Sequence, residues 1–596
     1  MSVVHVPKER GLELRLLIVP FVLCGVLTAY LTRLWFLQVV MSEDLREKAD
    51  TSGLIPVTRL APRGKIVDRA GRLVGGVAPT FVVTAQPRTT LKNREALELV
   101  ASILRIEPEV LRKAIAKVSD SGDIPVPVYI GADVAAASEI AERHDEMPGF
   151  AVETQAMRYY TEPVLTGQLT GYVRVAGEND LKRLHSMGIL NPAQYVGIAG
   201  LERQYEKLLM GSPGTEQVAV DARRRPLRSL GSLAPIAGST LNLTLDMKLQ
   251  SVAMNLLVGK RGSIVALDPR NGEVLCMASS PSYDVSMFQN GISKEDYKSL
   301  LDDPSKPMFF RATGAAYAPG STFKVVTTVA AWLSGRFNPN TFTFCPGYIQ
   351  VGTRKTKCLG KHGSISYNNA FAKSCNTYFG HLAVVAGRDN MLKACELLGL
   401  GKKTGLDLPA ESSGIVPTPD WWDKKRDRRW ALGDLVNFGM GQGELATTPL
   451  QMACALAAIA NKGVSYRPHL LRSVTSPVPG AKPVLVEPVK LGEVSATDEQ
   501  WQLLFRALNS VITDGTARSV AQISGLNWGG KTGSAENRKD HETHSWFIGM
   551  APLEQPEIVI CVMVENAGHG SDVAAPIATK CVKHWLVDRA RSPEVQ

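Results

Sequence analysis

Residues 16–40 form an almost wholly apolar run, broken mainly by Arg33, and this run limits the chain to one kind of architecture. About 20 apolar residues carry a helix across a bilayer. Lys8, Arg10 and Arg15 precede the run, and cationic flanks stay on the cytoplasmic side. Arg33, Trp35 and Gln38 close it, an interfacial pattern in which arginine snorkels and tryptophan anchors. No small-x-small cleavage site follows, as a signal peptide would need. The expected layout is a cytoplasmic tail over 1–15, a retained membrane helix over 16–40, and everything beyond on the extracytoplasmic side. Later apolar stretches such as Ile558–Val564 are short enough to be buried strands.

A chain of 596 residues exceeds the roughly 250–300 residues that one core supports, so two or three domains are expected. The net charge of +10 comes without a helix-turn-helix, zinc-finger or aromatic RNA-binding signature. It is therefore read as a basic surface, and nucleic acid is excluded as a partner.

Residues 41–240 mix short strands (Phe81–Ala85, Val126–Ile130) with charged helical stretches (Asn93–Leu104, Pro108–Val118), and no catalytic constellation stands out. They read as an elongated, non-catalytic pedestal. From about Thr240 the texture changes. Ser263–Asp268, the turn Asn271–Gly272 and Glu273–Ala278 read as a hairpin. Ser321–Leu333 and Thr448–Ala460 read as apolar helices, Ile558–Val564 as a strand, and Ala575–Val587 as a final helix. Strands from both ends of 241–596 with helices on their faces define an α+β fold.

Three motifs in this second domain carry chemistry. In Pro319-Gly320-Ser321-Thr322-Phe323-Lys324, Ser321 falls at a helix N-terminus, whose partial positive charge stabilises a developing oxyanion. Lys324 shares its face, and a lysine whose pKa is lowered by burial can serve as the base for a serine. In Ser374-Cys375-Asn376, the serine can relay a proton and the amide can orient Lys324 and a substrate carbonyl. In Gly529-Gly530-Lys531-Thr532-Gly533-Ser534, the glycines admit a substrate backbone, while Lys531, Thr532 and Ser534 offer a cation and hydroxyls to a carboxylate. Singly each is weak. In this order they match the set of penicillin-binding proteins and serine β-lactamases. His541-Glu542-Thr543-His544 has only two residues between its histidines, too few for a zinc-protease helix.

With these motifs, the single span and the segment Ala61-Pro62-Arg63-Gly64-Lys65-Ile66-Val67-Asp68-Arg69-Ala70-Gly71, the chain resembles class B penicillin-binding proteins over nearly its whole length. Trp430-Ala431-Leu432-Gly433-Asp434, Gly441-Gln442-Gly443 with Thr448-Pro449-Leu450-Gln451, and Trp546-Phe547-Ile548-Gly549 resemble the elongation-type branch, penicillin-binding protein 2. The septal type is the alternative. Ser534 stands where threonine is commoner and keeps the hydroxyl.

The resemblance implies a dimerisation domain over 41–240 and an antiparallel transpeptidase sheet over 241–596. It implies a peptidoglycan D,D-transpeptidase, inhibited by β-lactams and needing no cofactor for its chemistry. Ser321 attacks the stem-peptide carbonyl, Lys324 takes the proton and Ser374 relays it. Asn376 positions the donor amide, while Lys531, Thr532 and Ser534, with Gly533 between them, bind the terminal carboxylate. Backbone N–H groups of Ser321 and Ser534 form the oxyanion hole. A RodA-type membrane glycosyltransferase and elongation regulators are the implied partners. A β-lactamase or carboxypeptidase, and a non-catalytic sensor, are the other readings of the same motifs. Residues 1–15 leave little room for a sensor's signalling machinery, and no motif residue has been lost.

Cys345, Cys358, His362 and Cys375 lie between the first two motifs. Three thiolates and an imidazole form a known structural zinc set, although the spacing is not that of a zinc ribbon. A Cys345–Cys358 disulfide and four unliganded side chains are the other readings. Cys375 favours metal, because its neighbours are held by catalysis while its own side chain must turn away from them.

Overall fold

The structure is a computed structural model and describes residues 10–42, 54–116, 125–189, 195–220, 226–289, 291–537 and 541–589. Residues 1–9 of the expected cytoplasmic tail lie outside the described residues. Helix α1 (Arg10–Trp35) continues into one π turn, Phe36–Val40. Val19–Val40 is the one segment among the described residues long and apolar enough to cross a membrane, and none of it is buried in the protein.

The chain divides into two compact units. One draws on Met1–Leu60, Phe81–Thr154 and Pro213–Pro235. It holds a three-stranded antiparallel sheet of Leu54–Arg59, Gly214–Val220 and Pro226–Leu233. It also has a small core in which Val100, Leu111, Ile115 and Ile140, from three amphipathic helices, pack with Val83.

The other unit contains all three motifs. Its central sheet has strands β1 (Gly262–Leu267), β2 (Val274–Ser280), β3 (Gly529–Ala535), β4 (His544–Ala551) and β5 (Ile558–Val564), all antiparallel, in the spatial order β2-β1-β5-β4-β3. The expected hairpin is β1–β2, closed where Gly272, at φ +84°, donates to the Asp268 carbonyl. Every residue of β1, β2, β4 and β5 is buried. With both faces covered, the strands read as apolar runs without alternation.

The covering helices are α2 (Met247–Leu256), α3 (Lys324–Leu333), α4 (Asn376–Ala386), α5 (Pro449–Ala460), α6 (Asp498–Thr513) and α7 (Ala574–Lys583). α2 packs on β2. α5 lies over β1, β4 and β5, α7 over β4 and β5, and α6 on β3, the edge strand that carries the third motif. α3 and α4 pack on each other, which brings the first two motifs together. Thr448 and Gln451 cap α5 reciprocally, as do Thr497 and Gln500 for α6, each box satisfying two otherwise orphaned N–H groups.

Candidate active site

The nucleophile segment departs from the expected α-helix. Gly320–Phe323 forms a 3-10 turn, and α3 begins only at Lys324. The cause is close backbone packing. Gly320 has φ +56°, and a Cβ there would lie 2.7 Å from the Ser534 carbonyl oxygen. A Cβ on Gly533 would lie 2.9 Å from Thr322 Cγ2 and 3.0 Å from the Pro319 carbonyl oxygen. Two glycines thus let the serine turn rest directly on β3. Residues i and i+3 eclipse in a 3-10 turn, so Ser321 and Lys324 still share an edge. Ser321 is half-buried and Lys324 fully buried.

Lys324 Nζ donates to the Ser374 carbonyl (2.7 Å), to Ser374 Oγ (3.1 Å) and to Asn376 Oδ1 (2.9 Å). Burial lowers its pKa to about 8, with the sulfurs of Cys358 and Cys375 opposing that shift. Ser374 sits at φ +54°, a left-handed conformation that costs a non-glycine residue roughly 1 kcal/mol or more. The Lys324 hydrogen bond to its carbonyl helps hold it there. Asn376 Nδ2 donates to the Lys357 carbonyl at 3.1 Å, which fixes the amide with its oxygen toward Lys324.

Lys531 is also fully buried and donates to the Thr532 carbonyl at 3.0 Å. Burial, and then the charge of Lys324, push its pKa well below the usual lysine range. The more exposed polar atoms of the third motif belong to its hydroxyl residues. Thr532 Oγ1 lies 2.6 Å from Thr516 Oγ1. The half-buried Ser534 hydroxyl lies 3.3 Å from His569 Nδ1 and accepts from the Gly570 N–H at 3.3 Å. Thr516 and His569 carry no motif and escaped sequence reasoning. Gln442, within the Gly441-Gln442-Gly443 stretch, donates to the Ser534 carbonyl at 3.4 Å.

Beside Asn376 the four metal-type side chains meet. Their ligand atoms all lie within 4.8 Å of one another. Cys358 Sγ is 3.8 Å from Cys375 Sγ, and His362 Nδ1 is 3.5 Å from Cys345 Sγ and 3.6 Å from Cys358 Sγ. Bond lengths of about 2.3 Å to sulfur and 2.0–2.1 Å to nitrogen in a tetrahedral zinc site give edges of about 3.8 and 3.5 Å, and these three separations match them. The Cys345–Cys358 disulfide is not formed, and all nine cysteines are free. A hydrogen bond from Cys375, then backbone N–H groups around it, hold the Cys358 thiol well below its usual range. The same bond, with burial, pushes the Cys375 thiol up, so the pair holds one thiolate and one shared proton.

A serine on a tight turn, a buried lysine with a lowered pKa, a Ser-x-Asn loop and a Lys-Thr-Gly edge strand define a serine acyltransferase site. Residues 262–583 match the penicillin binding protein transpeptidase domain, and residues 58–243 match the penicillin-binding protein dimerisation domain. The chain belongs to the penicillin-binding transpeptidases of the elongation-type, penicillin-binding protein 2 branch.

Among its relatives, the peptidoglycan D,D-transpeptidase MrdA of Acinetobacter baumannii is 33% identical over 587 residues, covering 94% of this chain and 86% of that protein. Among solved structures, penicillin-binding protein 2 of Helicobacter pylori, in complex with MreC, superimposes with a TM-score of 0.77 at 27% identity, covering 89% of this chain and 99% of that one. A chain from a peptidoglycan synthase complex, in a structure concerned with coordination of polymerization and crosslinking, gives a TM-score of 0.72 at 30% identity, covering 96% and 98%.

Proposed function

We propose that Ser321 carries a peptidoglycan D,D-transpeptidation during cell elongation, through an acyl-enzyme that β-lactams trap. The contacts of Lys324 Nζ with both Ser374 and Asn376 are the observation that carries this reading. Lys324 takes the Ser321 proton as Oγ attacks the carbonyl between the terminal D-alanines. Ser374 passes the proton to the leaving D-alanine, and Asn376 holds the donor amide. Thr532 and Ser534 bind the terminal carboxylate, with Lys531 beneath them supplying positive charge. Backbone N–H groups of Ser321 and Ser534 serve as the oxyanion hole, each worth about 2.7–4 kcal/mol by analogy with such donors elsewhere. The amine of a second stem peptide resolves the acyl-enzyme.

The Cys345, Cys358, His362 and Cys375 cluster holds a structural zinc in this reading, and the matching edge lengths support it. Zinc supplies no chemistry to the acyl transfer. It pins the loop bearing Cys345 and Cys358 to the Ser374–Asn376 motif.

The apolar helix supports a single-pass protein with its N-terminus in the cytoplasm and its catalytic unit in the periplasm. The chain works with a RodA-type membrane polymerase and with elongation regulators. The assemblies described for its relatives, one with MreC and one a peptidoglycan synthase complex, support that reading.

Labelled penicillin tests the mechanism. It should form a long-lived adduct with the full chain and none with Ser321→Ala. An adduct of normal yield on Ser321→Ala would overturn the mechanism, and rapid hydrolysis of the native adduct would favour a β-lactamase.

A further inference from the structure

A cavity of about 510 Å³ opens beside the nucleophile turn. Tyr317 and Ala318, which lead directly into Pro319-Gly320-Ser321, form part of its wall. Glu536, two residues beyond Ser534 at the end of β3, forms another part. The donor's terminal carboxylate belongs at Thr532 and Ser534, so the cavity continues the site on the leaving-group side. By microscopic reversibility the incoming amine takes the place of the departing one, and the rest of the acceptor must extend past Ser534 in this direction.

The wall is built rather than incidental. Arg311, 1% exposed, donates through Nε to Glu565 (2.8 Å) and through its terminal nitrogens to the carbonyls of Ser305 (2.6 Å) and Lys306 (3.2 Å). Tyr317 donates its hydroxyl to the same Glu565 carboxylate at 2.5 Å. These bonds tie the Lys306 loop, β5 and the approach to Ser321 into one frame. Arg261 pairs with Glu565 at 2.9 Å yet stays 46% exposed, and Lys306 is exposed at the cavity edge. With Glu565 committed to Arg311, Tyr317 and Arg261, the exposed Arg261 and Lys306 are the accessible cations on this wall, which also carries the exposed carboxylate of Glu536.

We infer that this cavity is the acceptor subsite, and that Arg261 and Lys306 select an amine-bearing peptide through a free carboxylate. The inference rests on the transpeptidase reading above and adds the place and chemistry of the second substrate. In that step the acceptor nitrogen attacks the ester carbonyl on Ser321. A C–N bond forms, the C–O bond to Ser321 breaks, and the proton leaving nitrogen returns to Ser321 Oγ.

The test uses the full chain in detergent with a D-alanyl thioester donor and two acceptors. One is the tripeptide L-alanyl-D-isoglutamyl-meso-diaminopimelate, and the other is the same peptide with its carboxyls amidated. The wild-type chain should prefer the free acid. Arg261→Gln and Lys306→Gln should each cut transfer to the free acid roughly 10- to 100-fold, the range for losing a hydrogen bond to a charged group. They should leave transfer to the amide and penicillin labelling near the wild-type level, and Arg261→Lys should restore part of the preference.

Equal use of the two acceptors by the wild-type chain would overturn the inference. So would an equal loss with both acceptors, or a parallel loss of penicillin labelling, which would mean that the cavity acts only by shaping the nucleophile turn. Absence of a penicillin adduct on the wild-type chain would instead refute the transpeptidase reading itself.

Discussion

The backbone N–H of Asn376 donates to Cys358 Sγ at 3.2 Å, while its side-chain amide accepts from Lys324 Nζ at 2.9 Å. A single residue therefore joins the cysteine cluster to the lysine beside the nucleophile. Any force that moves Cys358 moves the amide that Lys324 bonds.

Cys358→Ser should expose that connection. Serine is a poor zinc ligand, and the variant should lose the roughly one zinc per chain expected of the wild type when both are purified without chelator. Its penicillin acylation should slow about 10- to 100-fold, the cost typical of disturbing groups that orient a site's first ring of contacts, and its unfolding midpoint should fall. A metal-free wild-type chain with full acylation activity and freely titrating thiols would end the zinc reading.

Lys324 sets a pH dependence. Burial brings its pKa down to about 8, and only the neutral amine can accept the Ser321 proton. Below about 8 the neutral fraction falls tenfold per pH unit, so acylation by labelled penicillin should rise with pH from 6 and level off above 8. Lys324→Ala should cost nearly as much as Ser321→Ala, and the double variant little more, because nucleophile and base act as a unit. A rate constant that stays flat between pH 6 and 8 would remove Lys324 from the role of base.

Gly533→Ala tests the contact between β3 and the serine turn. The added methyl would lie 2.9 Å from Thr322 Cγ2 and 3.0 Å from the Pro319 carbonyl, and backbone cannot yield as a side-chain tip can. The turn must shift by a fraction of an ångström. Displacement on the 1 Å scale can cost about 100-fold, so acylation should drop toward that extent while circular dichroism stays native. Acylation at the wild-type rate would show that the turn and strand are free to separate.

Much of this arrangement was legible in the sequence because local spacing encodes it. The motif triplet located Ser321, Lys324, Ser374, Asn376 and the Lys531–Ser534 strand. Ile558–Val564 was readable as a strand because it is apolar throughout and of strand length. Other features depend on contacts that no local pattern records. β1 lies beside β5, with Val265 opposite Cys561, and two strands buried on both faces offer no alternation to show their pairing. Arg311, Tyr317 and Glu565 converge from separate elements, and each alone looks like ordinary surface chemistry. The 3-10 start of the Ser321 segment arises from two glycines meeting across the fold, which a helical apolar period cannot reveal.

A buried charge network in the same unit yields the last prediction. Glu202, fully buried, accepts from Arg63 Nε and Arg158 Nε at 2.6 Å each and from the Tyr160 hydroxyl at 3.1 Å. Arg63 reaches Glu206 as well, at 2.8 Å. Burial alone would raise the Glu202 pKa, but the two guanidinium groups outweigh it and hold the carboxyl below its usual value of 4.5. A depressed folded-state pKa contributes stability that is present above the unfolded pKa and lost as pH falls through the folded one. Glu202→Gln keeps the shape and removes the charge. Arg63 retains Glu206, while Arg158 loses its carboxylate and keeps the Gly64 carbonyl at 2.7 Å. Removing one partner of a buried pair costs about 3–5 kcal/mol, so denaturant unfolding of the variant at pH 7 should show a loss approaching that size. The gap between wild type and variant should close as pH falls below 4.5 and through the depressed pKa at which the wild-type carboxylate protonates. Equal stability at pH 7, or a gap that persists unchanged into acid, would show that the network contributes nothing through its charge.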